Sequence, residues 1–208
     1  MNEQEYLELG RVIIDYPLDI QAVKELCVEE AANEHGRLSL RVVSRQLVSE
    51  QDALRLSDAP IRILTDEGGP VFAGVTTSLQ VHRWNQYNEV TLEAASASIK
   101  TDMENRSRTF QDPGKMLSQV FQEVLAPYGV DLQLQRDMQV SQMLSQQNET
   151  DWCFVRRIAN QFGMIIFTDS KAPSIRISIG VVPFSRKFLP ANADLSWVEK
   201  DIANYWKV

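Results

Sequence analysis

The apolar residues of this 208-residue chain change period near residue 100, and that change governs what the chain can fold into. Before it, apolar and polar positions alternate in short runs broken by turns. Leu38, Leu40 and Val42 fall on one face of RLSLRVV at 37–43, and Val90, Leu92 and Ala94 alternate with Thr91 and Glu93. A period of two places one face of an extended strand on a core and the other toward water. Residues 59–65 and 70–81 read as two more strands joined by the DEGG turn at 66–69, and RVIIDYP at 11–17 as a short strand closed by proline. Residues 22–34 are rich in Ala, Glu, Lys and Leu, so their local propensity is helical.

After residue 100 the spacing becomes helical. Met116, Leu117, Val120, Phe121, Val124 and Leu125 recur at that spacing, opened by Asp112 as N-cap with Pro113 at the first helical position and closed by Pro127 and Gly129. A second helix begins near Asn148 to Asp151, buries a combination of Trp152, Val155, Ile158, Ala159 and Phe162, and ends at Gly163. Strands at 164–168 and 174–180 follow it. The expected fold class is α+β: a β-rich, barrel-like antiparallel domain over residues 1–100, a smaller α/β domain over 101–182, and a C-terminal segment at 183–208.

With 44% hydrophobic and 24% charged residues, the chain can bury a proper core. Its net charge of −7 argues against tight nucleic-acid binding, which rests on clustered Lys and Arg. The first ten residues carry acids where a secretory signal has a basic stretch and an apolar run, and no segment is long and apolar enough for a membrane span. Synthesis in the cytosol is therefore expected. Cys27 and Cys153 lack CxxC spacing, so two buried thiols are expected instead of a disulfide framework or a zinc site.

The chemistry-bearing motifs are missing: no Gly-rich phosphate loop, dinucleotide fingerprint or nucleophile elbow is present. His35 and His82 stand in no metal-ligand spacing, and the ordinary fate of such a histidine is the surface or a hydrogen-bonded place in the core. Arg106 and Arg108 could clamp a phosphate or pair with nearby acids, and the overall acidity favours pairing. Glu29, Glu30 and Glu34 read as a solvated face. Trp84, Tyr87, Trp197, Tyr205 and Trp206 are too scattered for a base-stacking platform. No catalytic, cofactor-binding or metal-binding residue is nominated, and no cofactor is implied.

Three stretches taken together resemble the baseplate hub family of contractile injection systems, which includes VgrG of type VI secretion, the phage late control protein D and the hubs of contractile phage tails. They are FAGVTTSLQV at 72–81, LEAASASIKTDMENRSRTFQD at 92–112 and, most specifically, QQNETDWCFVRRIANQFGMIIFTD at 146–169; NEHGRLSL at 33–40 is also similar to a version of the first domain. In the last motif Asn148 or Thr150 caps the helix, Trp152 and Phe154 begin its apolar side, and Arg156 and Arg157 point outward. None of these residues is a nucleophile or a poised base.

The resemblance implies a structural, non-enzymatic hub: barrel-like domains trimerising into a pseudo-hexameric ring between a tail-tube protein and a spike protein, in a virion or injection particle. Exposed strand edges and the polar faces of 72–82 and 89–97 would form the ring contacts. For residues 22–34 it implies an extended strand, against the helical propensity. It also implies that 183–208 returns toward the first domain. Leu195, Trp197, Val198, Ile202, Tyr205 and Trp206 there form an apolar set, expected to be covered by a missing second half of a truncated or divided hub. The rival readings are a tail-associated cell-wall hydrolase and a small ligand-binding β-barrel.

Overall fold

The computed structural model describes residues 12–181 except Leu47, Asn85 and Pro113. The first elements are β1 (Val12–Asp15), β2 (Ile20–Glu29), β3 (Arg37–Ser44), α1 (Glu50–Ser57), β4 (Pro60–Thr65), β5 (Pro70–Arg83) and β6 (Asn88–Ser96). The strands form one antiparallel sheet in the order β1-β4-β5-β6-β3-β2, curled into a half-barrel. The alternation read from the sequence sets its faces. Leu40 pairs with Leu92 and Val42 with Val90, all four fully buried, and Ile61, Ile63 and Phe72 complete the inner face. Each such side chain contributes about 1.5–3 kcal/mol by leaving water.

Residues 22–34 are not a helix. The strand β2 pairs with β3 along its length, and Leu26 and Val28 turn inward while Lys24 and Glu25 stay exposed. The ladder to β3 and the burial of those two side chains outweigh a propensity difference of a few tenths of a kcal/mol per residue. Two register shifts within β2 absorb the poorer alternation at its start.

The second set is β7 (Asn105–Phe110), α2 (Leu117–Leu125), β8 (Asp131–Leu134), β9 (Leu144–Thr150), α3 (Asp151–Gln161), β10 (Ile166–Thr168) and β11 (Arg176–Ile179). The pair β7-β9 is antiparallel, and β10-β11-β8 is a three-stranded sheet in which β8 runs parallel to β11. Leu117, Val120, Phe121, Val124 and Leu125 of α2 meet Trp152, Phe154, Val155 and Ile158 of α3 in a second core floored by Ile166, Ile177 and Ile179. The β-rich α+β class is thus the one found.

The start of α2 differs from expectation. Asp112 accepts a bond from the Gly114 N–H at 2.9 Å and so shapes a turn, and the helix begins only at Leu117. Lys115 and Met116 are held extended against 138–140, with Val140 N–H to Lys115 C=O at 2.8 Å and Leu117 N–H to Met138 C=O at 2.9 Å. Asp137 then receives the Ser118 N–H (3.0 Å) and hydroxyl (2.6 Å), placing an anion at the first turn. The α3 boundaries follow the sequence more closely: Thr150 accepts from the Cys153 N–H at 3.1 Å, and Gly163 takes φ +67° just past the end, a conformation that penalises a Cβ.

The two sets are joined by hydrogen bonds that cross between them. Asn33 N–H donates to Ile166 C=O at 2.7 Å while its side-chain oxygen accepts the Ile166 N–H at 3.0 Å. Ala73 N–H reaches Ser170 C=O at 2.7 Å, and the Ser170 hydroxyl and N–H both donate to Glu30. The apolar set at Leu195, Trp197, Val198, Ile202, Tyr205 and Trp206 lies outside the described residues.

Candidate assembly interface

The strands that the sequence reading gave to ring contacts, 72–82 and 89–97, lie in the middle of the large sheet. Their edges are taken by each other and by β4 and β3, so what they offer is a face. Half of their side chains point inward: Phe72, Thr76, Val90, Leu92 and Ala94 are buried. The outward set is Thr77, Ser78, Gln80, His82, Glu89, Thr91 and Glu93. Among the described residues the edges of this sheet belong to β1 and β2. Strand β2 is ten residues long and exposed from Gln21 to Glu25. An edge of that length presents a row of backbone donors and acceptors suited to pairing with another chain.

Beside this edge the outer face carries interleaved charge. Lys24 bonds to Glu89, Arg41 bonds to Glu25, and Arg41 also stands 3.9 Å from Glu89. The Lys24 hydrogen bond, followed by the charges of Lys24, Arg41 and His82, holds the Glu89 carboxyl below its ordinary range. Exposed pairs of this kind contribute little to stability. Their effect is to keep the face polar and locally neutral. A groove of about 430 Å³ lies farther along the face, lined by Cys27, Glu29, Arg37, Ser39, Glu93 and Ile99 among others. It is a charged trough.

The hairpin between β5 and β6 ends in an aromatic tip. Trp84 and Tyr87 stack with centroids 6.3 Å apart, His82 lies 5.8 Å from Trp84, and the two are 51% and 40% exposed. The register Ile20–Ser44–Asn88 brings the start of β2 to the same end of the sheet, where Val23 is also 40% exposed. Aromatic and apolar side chains near an open edge are typical of interface anchors.

Arg106 and Arg108 are turned onto an acid inside the protein. Asp151, fully buried at the first position of α3, meets Arg108 in a close ion pair and Arg106 at 3.7 Å. The Tyr128 hydroxyl and Gln146 amide each donate to it at 2.9 Å, and Arg108 Nε donates to Gln146 at 2.9 Å. Burial, and then the bond to Asp151, pushes the Tyr128 phenol up. This network ties β7, β9 and α3 together. The sequence held all its members, but nothing local linked Arg108 to an acid 43 positions away.

His35 is nearly buried, with Nδ1 2.8 Å from Ser98 Oγ and its ring centroid 4.2 Å from that of Trp152. His82 is exposed on the outer face. Cys27 and Cys153 are half-buried, not buried as expected, because β2 turns Cys27 outward and Cys153 sits on the rim of α3 beside Asp102. Among the described residues no three His, Cys, Asp or Glu side chains gather as a metal site, and no helix is long and apolar enough to cross a membrane.

A family model described as phage tail baseplate hub (GPD) matches residues 29–181. No curated protein matches the chain in sequence. Among solved structures, similarity is found to an E. coli type VI secretion component described as resembling T4 bacteriophage tail proteins (TM-score 0.64, 12% identity, 82% of this chain and 48% of that one). A 43 kDa prophage tail protein from Shewanella oneidensis gives TM-score 0.61 at 13% identity over 80% of this chain and 52% of that one. A tail protein from Neisseria meningitidis gives 0.58 at 14% identity over 80% and 49%. The chain therefore spans about half the length of these structures, and what they share with it is the fold.

Proposed function

Because the chain belongs to the phage tail baseplate hub family, with residues 29–181 matched, we propose that it forms the hub ring joining a tail tube to a spike in a virion or injection particle. The half-barrel with its open β2 edge is the observation that supports this reading. In a closed ring each open edge meets a neighbour, which both builds the assembly and removes an aggregation hazard. Within the expected domains 1–100 and 101–182, the described residues would form the barrel-like wall and the α/β domain beside it; the segment 183–208 lies outside the described residues. Three copies would make the ring. The polar outer face, with Lys24, Arg41, Glu25 and Glu89 balanced in charge, suits contact with a partner that is itself mixed in charge.

Mass measurement in solution, alone and with the tube and spike proteins, tests the proposal. A trimer, or a monomer that becomes trimeric when the partners are added, is expected. A stable dimer that ignores both partners counts against it.

A further inference from the structure

We propose that His35 is an acid-sensitive lock on the joint between the large sheet and the helix-bearing set. The ring sits where three elements converge: its own loop before β3, the turn Ala97–Asp102 after β6, and α3. Its side chain is only 10% exposed, and Nε2 is buried without a hydrogen-bond partner, 3.4 Å from Asp102 Oδ2. Asp102 in turn receives the hydroxyl of Thr150, the cap of α3.

A chain of hydroxyls fixes the protonation state. Gly36 N–H donates to Ser96 Oγ at 3.1 Å, Ser96 Oγ lies 2.9 Å from Ser98 Oγ, and Ser98 Oγ lies 2.8 Å from His35 Nδ1. With the first link set by the backbone, the run Ser96 O–H to Ser98 and Ser98 O–H to Nδ1 satisfies both hydroxyls and Nδ1, so Nδ1 accepts and Nε2 carries the hydrogen on the side of Asp102. Protonating the ring puts a hydrogen on Nδ1 as well. Ser98 must then accept from the ring, and the hydrogen of either Ser98 or Ser96, residues 2% and 1% exposed, is left without an acceptor in this run.

The charges around the ring do not rescue the cation. Asp102 on the Ala97–Asp102 turn favours it, while Arg156 on α3 and Arg37 on β3 oppose it. Arg37 is itself paired with Glu34 at 3.6 Å, Glu30 is bound to Ser170, and the Cys153 thiol faces Asp102 at 3.7 Å. Burial is the largest influence and pushes the imidazole below its ordinary value of 6.5. The sign follows. A base held neutral in the closed joint and free to charge in the open one favours closure fully above pH 6.5, and loses that contribution as pH falls from 6.5 to the closed-state value.

Amide hydrogen exchange and histidine NMR on the full chain, from pH 7.5 to 4.5 and corrected for intrinsic exchange, test this. The His35 ring is expected to titrate below 6.5. The joint amides of Asn33, Ile166 and Ala73 are expected to lose up to about tenfold in protection per pH unit below that value, while Leu40 and Leu92 in the sheet keep theirs. His35→Asn, which keeps an acceptor toward Ser98, is expected to remove the pH dependence. Titration at or above 6.5, joint and sheet amides changing in parallel, or an unchanged pH dependence in His35→Asn would overturn the proposal. Should that variant not fold, Asp102→Asn is expected to move the His35 titration to lower pH, and an unmoved titration sinks the idea equally.

Discussion

The backbone of Gly36 passes so close to Ser170 that a Cβ on the glycine would stand 2.5 Å from the Ser170 Cβ. The contact joins the start of β3 to the turn after β10, so it belongs to the same joint as His35. Gly36→Ala must therefore displace one side or the other, at about 1–3 kcal/mol by the usual cost of overpacking. Denaturant unfolding should show it as a lower midpoint with an unchanged slope. Removing the obstructing atom as well, in Gly36→Ala with Ser170→Gly, should recover part of the loss, and a neutral single substitution would show that the joint is looser than described.

Trp152 is 2% exposed and is packed by α2, by its own helix and by the His35 ring. Trp152→Ala should cost about 3–5 kcal/mol, because the surroundings cannot collapse into so large a space. Equilibrium unfolding measures this directly. A loss below about 1 kcal/mol is incompatible with the ring's place in the core.

The two arginines around Asp151 should not behave alike. Arg108 makes the closer ion pair and also binds Gln146, whereas Arg106 stands 3.7 Å away and leans on exposed Glu104. Arg108→Met leaves a fully buried carboxylate short of its main partner and should cost about 1.5–3 kcal/mol, the value of a charged hydrogen bond. Arg106→Met should cost less. Equal losses in thermal or urea unfolding would contradict the asymmetry.

Duplex DNA should bind weakly at physiological salt, since a chain of net charge −7 has few cations with which to release counterions from phosphates. Fluorescence anisotropy with a random duplex checks it. Sub-micromolar, salt-sensitive affinity would point to a basic surface that the composition hides.

What was legible in the sequence was the part encoded by local period. Leu38, Leu40 and Val42 announce a strand because their alternate neighbours are polar, and Thr150, Trp152 and Gly163 mark out α3 because cap, apolar face and stop lie within one short segment. Strand β2 was misread by propensity because only its far half, Leu26 and Val28, is buried, and its partner strand lies beyond the next turn. Helix α1 was missed although Ser49 and Asp52 form a capping box, a signal present in the sequence. Strand β9 was missed for a different reason. Its segment LSQQNET is almost wholly polar, and the buried Gln146 answers to Asp151 and Arg108, which only the folded chain brings together. The joint at His35 was likewise out of reach, since Ser98, Asp102 and Trp152 lie 63 or more positions along the chain.

The strand at the centre of the three-stranded sheet is the last of its members to be synthesised. Until residues 176–179 emerge, β8 and β10 have no neighbour in that sheet, and the helices α2 and α3 face an incomplete floor. Among the described residues the large sheet has no such dependence, because its described strands lie between Val12 and Ser96. Assembly order is thereby written into the topology: the half-barrel can form while the ribosome is still working, whereas the helix-bearing set must wait for nearly the whole described chain before it closes.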